Sequence, residues 1–172
     1  MESAAVVASI ATGLLTAVVA TIAFWFSQHT QRYAAQRAIG DLQSSLVHYR
    51  AQYPEITKYS RDWTTEDFVR LYSDDGENAT AVRYYGYVDL GLEFCNTALA
   101  ASGQHHVAAE VFETHYRPLV RYFLAENYPF VASALDGPYL SSYIRDELRL
   151  AQKEGWDWTR RHEDLTAGVV RP

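Results

Sequence analysis

The densest group of metal-ligating side chains lies in the run HHVAAEVFETH. His106 and Glu110 are four residues apart and Glu113 follows three residues later, so a helix would place all three on one face. Carboxylates of the preceding helix, Asp89 and Glu93, would complete a carboxylate-rich site in a helical bundle. The run lacks the Glu-x-x-His and His-Glu-x-x-His pairs of established sites. We therefore predict no bound metal and no cofactor, and retain His106, Glu110 and Glu113 only as candidate ligands.

The alternative to a metal site is an ordinary helix surface, in which Glu113 pairs with Arg117 at i, i+4. Cys95 lies in an apolar helical pattern typical of a buried, unreactive thiol, and no serine has a Gly-x-Ser-x-Gly surrounding. The sequence also contains no glycine-rich phosphate loop. These patterns predict a non-catalytic protein, with a metal-dependent enzyme as the weakest alternative.

Basic residues recur at helical spacing near the C-terminal end, where they would contact anionic headgroups or a partner. They are Arg145, Arg149, Lys153, Arg160 and Arg161. Acidic residues are interleaved with them, so we favour a solvated helix face. The pair Arg117 and Arg121, flanked by Tyr116 and Tyr122, is a comparable signal for an acidic protein partner.

Composition limits the class of protein. The chain has 172 residues and a net charge of −6, and this acidity argues against general nucleic-acid binding. The single cysteine excludes an internal disulfide and fits a reducing compartment. A chain of this length suits one anchor and one small domain.

The run from Ala4 to Phe26 contains no charged residue. Its 23 residues would form a helix of about 35 Å, enough to span a hydrocarbon core of about 30 Å. A signal peptide is the alternative, but no Lys or Arg precedes the run and signal-peptide apolar segments are shorter. Arg32 and Arg37 follow the run, which predicts an outward N-terminus and a cytoplasmic domain. Trp25 would then lie at the inner interface.

Small residues recur at four-residue spacing within this run and predict a face for close packing of another membrane helix. They are Ser9, Gly13 and Ala17. The alternative is a single span without lateral contacts, because such patterns also arise by chance in Ala-rich helices.

Apolar residues after the span recur every three or four positions, which predicts a helical stripe that continues to Pro54. They are Ile39, Leu42, Leu46, Tyr49 and Tyr53. Because three heptads barely support a coiled coil, we predict that the stripe packs on the protein's own domain.

The remaining sequence predicts an all-α domain, since alternating strand patterns are absent. Helices are expected over 79–102, 105–127 with a kink or restart at Pro118, and about 138–154. The first presents one apolar face, and its Gly86 and Gly91 indicate close helix approach. That face comprises Ala81, Tyr85, Val88, Leu92, Cys95 and Leu99.

The predicted organisation has four parts. A transmembrane anchor at 1–26 continues into a juxtamembrane helix at 27–53. A cytoplasmic helical domain follows at 54–154, with an acidic loop at 73–78. The C-terminal tail, 155–172, contains Trp156 and Trp158, which would dock on the domain, a partner or the headgroup layer.

The segments RYYGYVDLGLEF and VFETHYRPLVRYF, following an anchor and juxtamembrane heptads, give a layout that resembles uncharacterised bacterial families of short membrane-anchored helical proteins. The resemblance covers residues 4–150 and implies a bacterial inner-membrane setting. It implies no site residues, because such families have no established active site.

We therefore predict an all-α protein with one N-terminal transmembrane helix that continues into a small cytoplasmic helical bundle. It would serve as a non-catalytic accessory or scaffold subunit of a larger membrane protein complex. Its expected partners are the lipid bilayer and other membrane protein subunits or a second copy of itself, and no nucleic acid. The alternative is a membrane-tethered signalling or defence component that senses a ligand or partner.

Overall fold

The computed structural model describes the backbone of residues 2–56, 61–67, 69–70 and 79–167 and, except at 2–11 and 166, their side chains. All regular structure in these residues is helical, which confirms the all-α prediction. The elements are α1 (Glu2–Gln52), α2 (Ala79–Gly103), α3 (Ala109–Val111), a π-helical segment (Phe112–Tyr116), α4 (Arg117–Glu126), α5 (Tyr128–Ser133), α6 (Ser142–Lys153) and α7 (Trp158–Ala167). The predicted acidic loop at 73–78 lies outside the described residues.

The C-terminal half of α1 belongs to the helical domain. α1 is an uninterrupted helix of 51 residues that ends just before Pro54, whose ring disfavours helical backbone at the preceding residue. Ile39 is fully buried against the core, and other residues of the predicted stripe pack beside it. These are Leu42, Leu46, Tyr49 and Tyr53. The stripe therefore packs on α2 of the same chain, as the sequence predicts.

The N-terminal half of α1 extends beyond the domain. From Thr12 to Ala34 every side chain is exposed except that of Gln28, which is partly buried. Eight large apolar residues in this part are between 50% and 67% exposed. They are Leu14, Leu15, Val18, Val19, Ile22, Phe24, Trp25 and Phe26.

Within the part of the chain that the structure describes, no helix is both long enough and apolar enough to cross a membrane. The predicted span Ala4–Phe26 lies partly outside the described side chains, which begin at Thr12. The transmembrane assignment stays a prediction.

α2 lies at the centre of the domain, where it contacts α1, α4 and α6. Its predicted apolar face is confirmed at Ala81, Val88, Cys95 and Leu99, which are buried. The prediction is wrong at Tyr85, which is 39% exposed, whereas the adjacent Tyr84 is buried. Tyr84 packs edge-on against Trp63 and Phe130, because α2 is covered from more than one side and its buried surface is wider than one stripe.

Two glycines of α2 mark close helix contacts, as their positions predict. A Cβ atom on Gly86 would lie 2.8 Å from the Tyr49 hydroxyl oxygen of α1. A Cβ atom on Gly91 would overlap the Phe123 ring of α4. The missing side chains therefore let α1 and α4 approach α2 from different directions.

The helix predicted over 105–127 begins at Ala109 in the structure, and its winding changes at the π-helical segment. His105 has a φ of 58° and lies in the turn after α2, so helical structure resumes only at Ala109. The backbone widens into the π-helical segment, where the Arg117 N–H donates to the Phe112 carbonyl five residues earlier. Pro118 has no N–H and its ring would clash with a carbonyl of a regular helical turn. The restart expected at Pro118 takes the form of this wider turn.

The C-terminal tail predicted at 155–172 contains a helix. Gly155 follows α6 with a φ of 81°, and α7 packs on α4 and α5. Trp158 is 7% exposed and lies beside Tyr128, while Trp156 is partly buried. Both tryptophans therefore dock on the domain, one of the three outcomes expected.

Gly91→Ala is expected to destabilise the domain, although alanine favours a helix by about 1 kcal/mol. The Phe123 ring would have to move, and overpacking of this kind typically costs about 1–3 kcal/mol. Gly40→Ala is the matched control, because a Cβ there meets nothing within 4 Å; it should be neutral or stabilising. Urea unfolding followed by tryptophan fluorescence measures both, and an unchanged stability of Gly91→Ala would contradict the close contact.

Candidate functional site

The candidate metal ligands do not come together on one helix. His106 lies in the turn between α2 and α3, whereas Glu110 lies on α3. Glu113 forms an ion pair with Arg117, which is the alternative considered from the sequence. Among the described side chains, no group of three His, Cys, Asp or Glu residues could hold a metal ion. The helical spacing of His106 and Glu110 on which the metal hypothesis depended is absent, because the chain turns at His105 and helical structure resumes only at Ala109.

The basic residues near the C-terminal end have different roles. The Arg145 guanidinium donates to the Gly137 carbonyl at 2.6 Å and holds the turn before α6. Arg149 pairs with Asp146 at 3.0 Å on the exposed face of α6. Lys153 and Arg160 are exposed. Arg145 is thus a structural residue, and headgroup or partner contacts through the others remain a prediction.

A buried carboxylate, Glu126 at the end of α4, joins several elements and is 1% exposed. Its Oε1 accepts hydrogen bonds from Arg50 at 2.8 Å and from Arg61 at 3.1 Å. Its Oε2 accepts one from the Tyr87 hydroxyl at 3.1 Å. Burial and the neighbouring carboxylate raise the pKa of Tyr87, so its hydroxyl stays a donor. Glu126 therefore ties α1, the α1–α2 connection and α2 to α4.

Arg61 and His162 extend this cluster to α7. Arg61 donates to the Leu165 carbonyl at 2.7 Å. The two ring nitrogens of the buried His162 lie 3.1 Å from the Ala125 carbonyl oxygen and 3.2 Å from an Asp62 carboxylate oxygen. The last helix is thus held by polar contacts as well as by its tryptophan.

A second buried carboxylate, Glu147, fixes α6 to α4 and is 3% exposed. Arg121 donates to its Oε1 at 2.7 Å, and the Arg117 Nε lies 3.4 Å from its Oε2. Arg121 also pairs with Glu154 at 2.7 Å. Burial opposes the charge of Arg121, but the bonds to the two carboxylates raise its pKa. Arg117 and Arg121 are thus paired with acidic groups of the same chain, and contact with an acidic partner stays a prediction.

A pocket of about 430 Å³ lies beside the Glu147 cluster, between α4 and α7. We call it the arginine–tryptophan pocket; its lining includes Arg121, Tyr122, Glu154, Trp156, Arg161 and Asp164. The guanidinium carbons of Arg121 and Arg161 lie 5.5 Å and 5.0 Å from the centre of the Trp156 ring. Arg161, predicted as a headgroup or partner contact, thus lies at a defined pocket.

The two buried carboxylates and the single cysteine are all enclosed within the domain. Glu126 and Glu147 are both held in ion pairs with arginines. Cys95 is fully buried, which confirms the prediction that it is a buried cysteine, and burial raises the pKa of its thiol. The arginine–tryptophan pocket, with accessible charge and an aromatic surface, is the candidate functional site.

Comparison of the chain with protein families, curated proteins and solved structures found no match.

Sequence reasoning missed both buried carboxylates and the pocket. One signal was available for Glu126, a single acidic residue that directly follows the apolar run Phe123-Leu124-Ala125 at the end of a helix. Its partners Arg50 and Arg61 lie 76 and 65 residues away, so no local pattern links them.

Glu126→Ala is expected to lower the free energy of unfolding by about 3 kcal/mol, because Arg61 would be left without its buried carboxylate. This loss of stability should be at the lower end of the range for breaking a buried ion pair, because Arg50 is 38% exposed and water would solvate its guanidinium group in the variant. Asp146→Ala, which removes an exposed pair, should cost at most about 1 kcal/mol. Urea unfolding measures both variants; equal effects would contradict the structural role of Glu126.

Proposed function

We propose that this protein is a non-catalytic, membrane-anchored accessory or scaffold subunit of a larger membrane protein complex. One observation carries the proposal: α1 is continuous, but only its C-terminal half is covered by the domain. The other half exposes large apolar side chains within a run that contains no charged residue. Exposure of such a surface to water is unfavourable, and contact with a lipid bilayer or with another apolar helix would remove it from water.

The proposed orientation places the N-terminus outside and the helical domain in the cytoplasm of a bacterial cell. Arg32 and Arg37 follow the apolar run, and residues 1–3 before it contain no Lys or Arg. Trp25 and Phe26 are exposed at the domain-proximal end, where aromatic rings favour the membrane interface. The span itself would run from Ala4 to Phe26.

The proposed contacts within the membrane involve the small-residue face of α1. Gly13 has open space around the position of a Cβ, and Ala17 is exposed, so neither is covered by the chain itself. The Ser9 side chain lies outside the described residues. Another membrane subunit or a second copy of α1 would pack closely on this face.

A membrane-tethered sensor is the second candidate function, and the arginine–tryptophan pocket favours it. The pocket borders α4, and the Glu126 cluster connects α4 to α1. A ligand in the pocket would therefore contact an element that is directly bonded to the membrane-proximal helix. Constant presence of the protein in a complex of fixed stoichiometry would count against this alternative.

Gly13→Leu combined with Ala17→Leu is expected to release the protein from its complex, because bulky side chains prevent close helix approach. The measurement is the mass and composition of the particle extracted in mild non-ionic detergent. Val18→Leu with Ile22→Leu is the matched control, since these positions lie on the roughly opposite face at 100° per residue. A wild-type protein that is extracted as a lone chain would contradict the subunit proposal.

A further inference from the structure

The charges that line the arginine–tryptophan pocket differ sharply in accessibility. Arg117 and Arg121 are only 21% and 10% exposed, and both are paired with the buried Glu147. Glu113 and Glu154 are 51% and 46% exposed. The guanidinium groups thus lie beneath the surface, while carboxylates face the solvent.

The rim of the pocket has a negative balance. Asp164 is exposed and adds a third accessible carboxylate to Glu113 and Glu154. Arg161 is the one exposed cation among the described lining residues, and its guanidinium group lies over the Trp156 ring. The lining thus carries three carboxylates and three guanidinium groups, but the carboxylates of Glu113 and Glu154 are more exposed than the guanidinium groups of Arg117 and Arg121. The accessible charge at the mouth of the pocket is therefore mainly negative, which favours the approach of a cation over that of an anion.

The aromatic surface of the pocket already holds a cation. The guanidinium carbon of Arg161 lies 5.0 Å from the centre of the Trp156 ring, within the range of a cation–π contact. Tyr122, which is 44% exposed, adds a second aromatic ring to the lining. Arg161 shows the mode of contact that this surface offers to a positively charged group.

We propose that the arginine–tryptophan pocket binds an organic cation, an ammonium or guanidinium group carried on an apolar body. The cation pairs with Asp164 and Glu154, and the apolar body packs on Trp156 and Tyr122. The volume of about 430 Å³ is that of a small-ligand site. Such a group occurs in free amines and in basic side chains of a partner protein. The inference does not depend on membrane insertion, since every residue of the pocket lies in the helical domain.

Phenethylamine and phenylacetate are suitable probes, because they present the same aromatic body with opposite charges at neutral pH. The full chain is held in non-ionic detergent, and the ¹⁵N-labelled indole groups are observed by NMR. The Trp156 resonance is assigned by its loss in Trp156→Phe. Phenethylamine should shift this resonance saturably while those of Trp63 and Trp158 move less, and phenylacetate should leave it unchanged. No saturable shift with phenethylamine, or an equal shift with phenylacetate, would overturn the proposal.

Charge variants at the rim separate recognition of a cation from a merely structural effect. Asp164→Asn should weaken phenethylamine binding about two- to fivefold, the range for one partly exposed charge pair. Arg161→Gln should strengthen binding, because it removes a like charge from Trp156. Asp146→Asn, outside the pocket, should change nothing. Weaker binding in both rim variants would contradict the proposal.

The source of the cation is identified with a second probe, the acetylated dipeptide amide Phe-Arg, whose guanidinium is its only charge. Tighter binding of this peptide than of phenethylamine would assign the pocket to a basic side chain of a partner protein. Tighter binding of phenethylamine would assign it to a free amine. Binding of neither probe would overturn the proposal and would leave the membrane-anchor proposal unaffected.

Discussion

The helical domain depends on two buried carboxylates that meet arginines from distant parts of the chain. Glu126, at the end of α4, binds Arg50 of α1 and Arg61 of the following connection. Glu147 of α6 binds Arg121 near the middle of α4. α4 is therefore the common element: it is bonded to α1 through Glu126 and to α6 through Arg121, and α7 packs on it. Removing one partner of such a pair leaves an unpaired charge in a poorly solvated place, so each cluster fixes the position of its helices.

The two halves of α1 differ in whether the domain covers them. Within the domain, α1 is held by Ile39 and its apolar stripe and by Arg50 at its last turn. Before Ala35 no element of the described domain covers it, although the helix continues without a break. Because α1 is one continuous helix, it would hold the domain at a fixed distance from anything that binds the exposed half.

Sequence patterns predicted the elements whose side chains repeat locally. The stripe of α1, most of the α2 face and the close contact at Gly91 all follow from helical spacing and residue size. α7 was missed because its ten residues are strongly polar and, among its described side chains, only those of Trp158 and His162 are buried. The pocket could not be predicted, because its shape depends on how far apart α4 and α7 lie in the fold. The ion pairs of Glu126 could not be predicted either, because they join residues far apart in the sequence.

Cysteine labelling in sealed membrane vesicles tests most directly whether α1 crosses the membrane. The native Cys95 is buried, so a charged maleimide would report only an introduced thiol. Ser3→Cys and Ser44→Cys place thiols before the proposed span and on the exposed surface of α1 beside the domain. We expect Ser3→Cys to react only from the outer side and Ser44→Cys only from the cytoplasmic side. Reaction of both thiols from the same side would contradict the account.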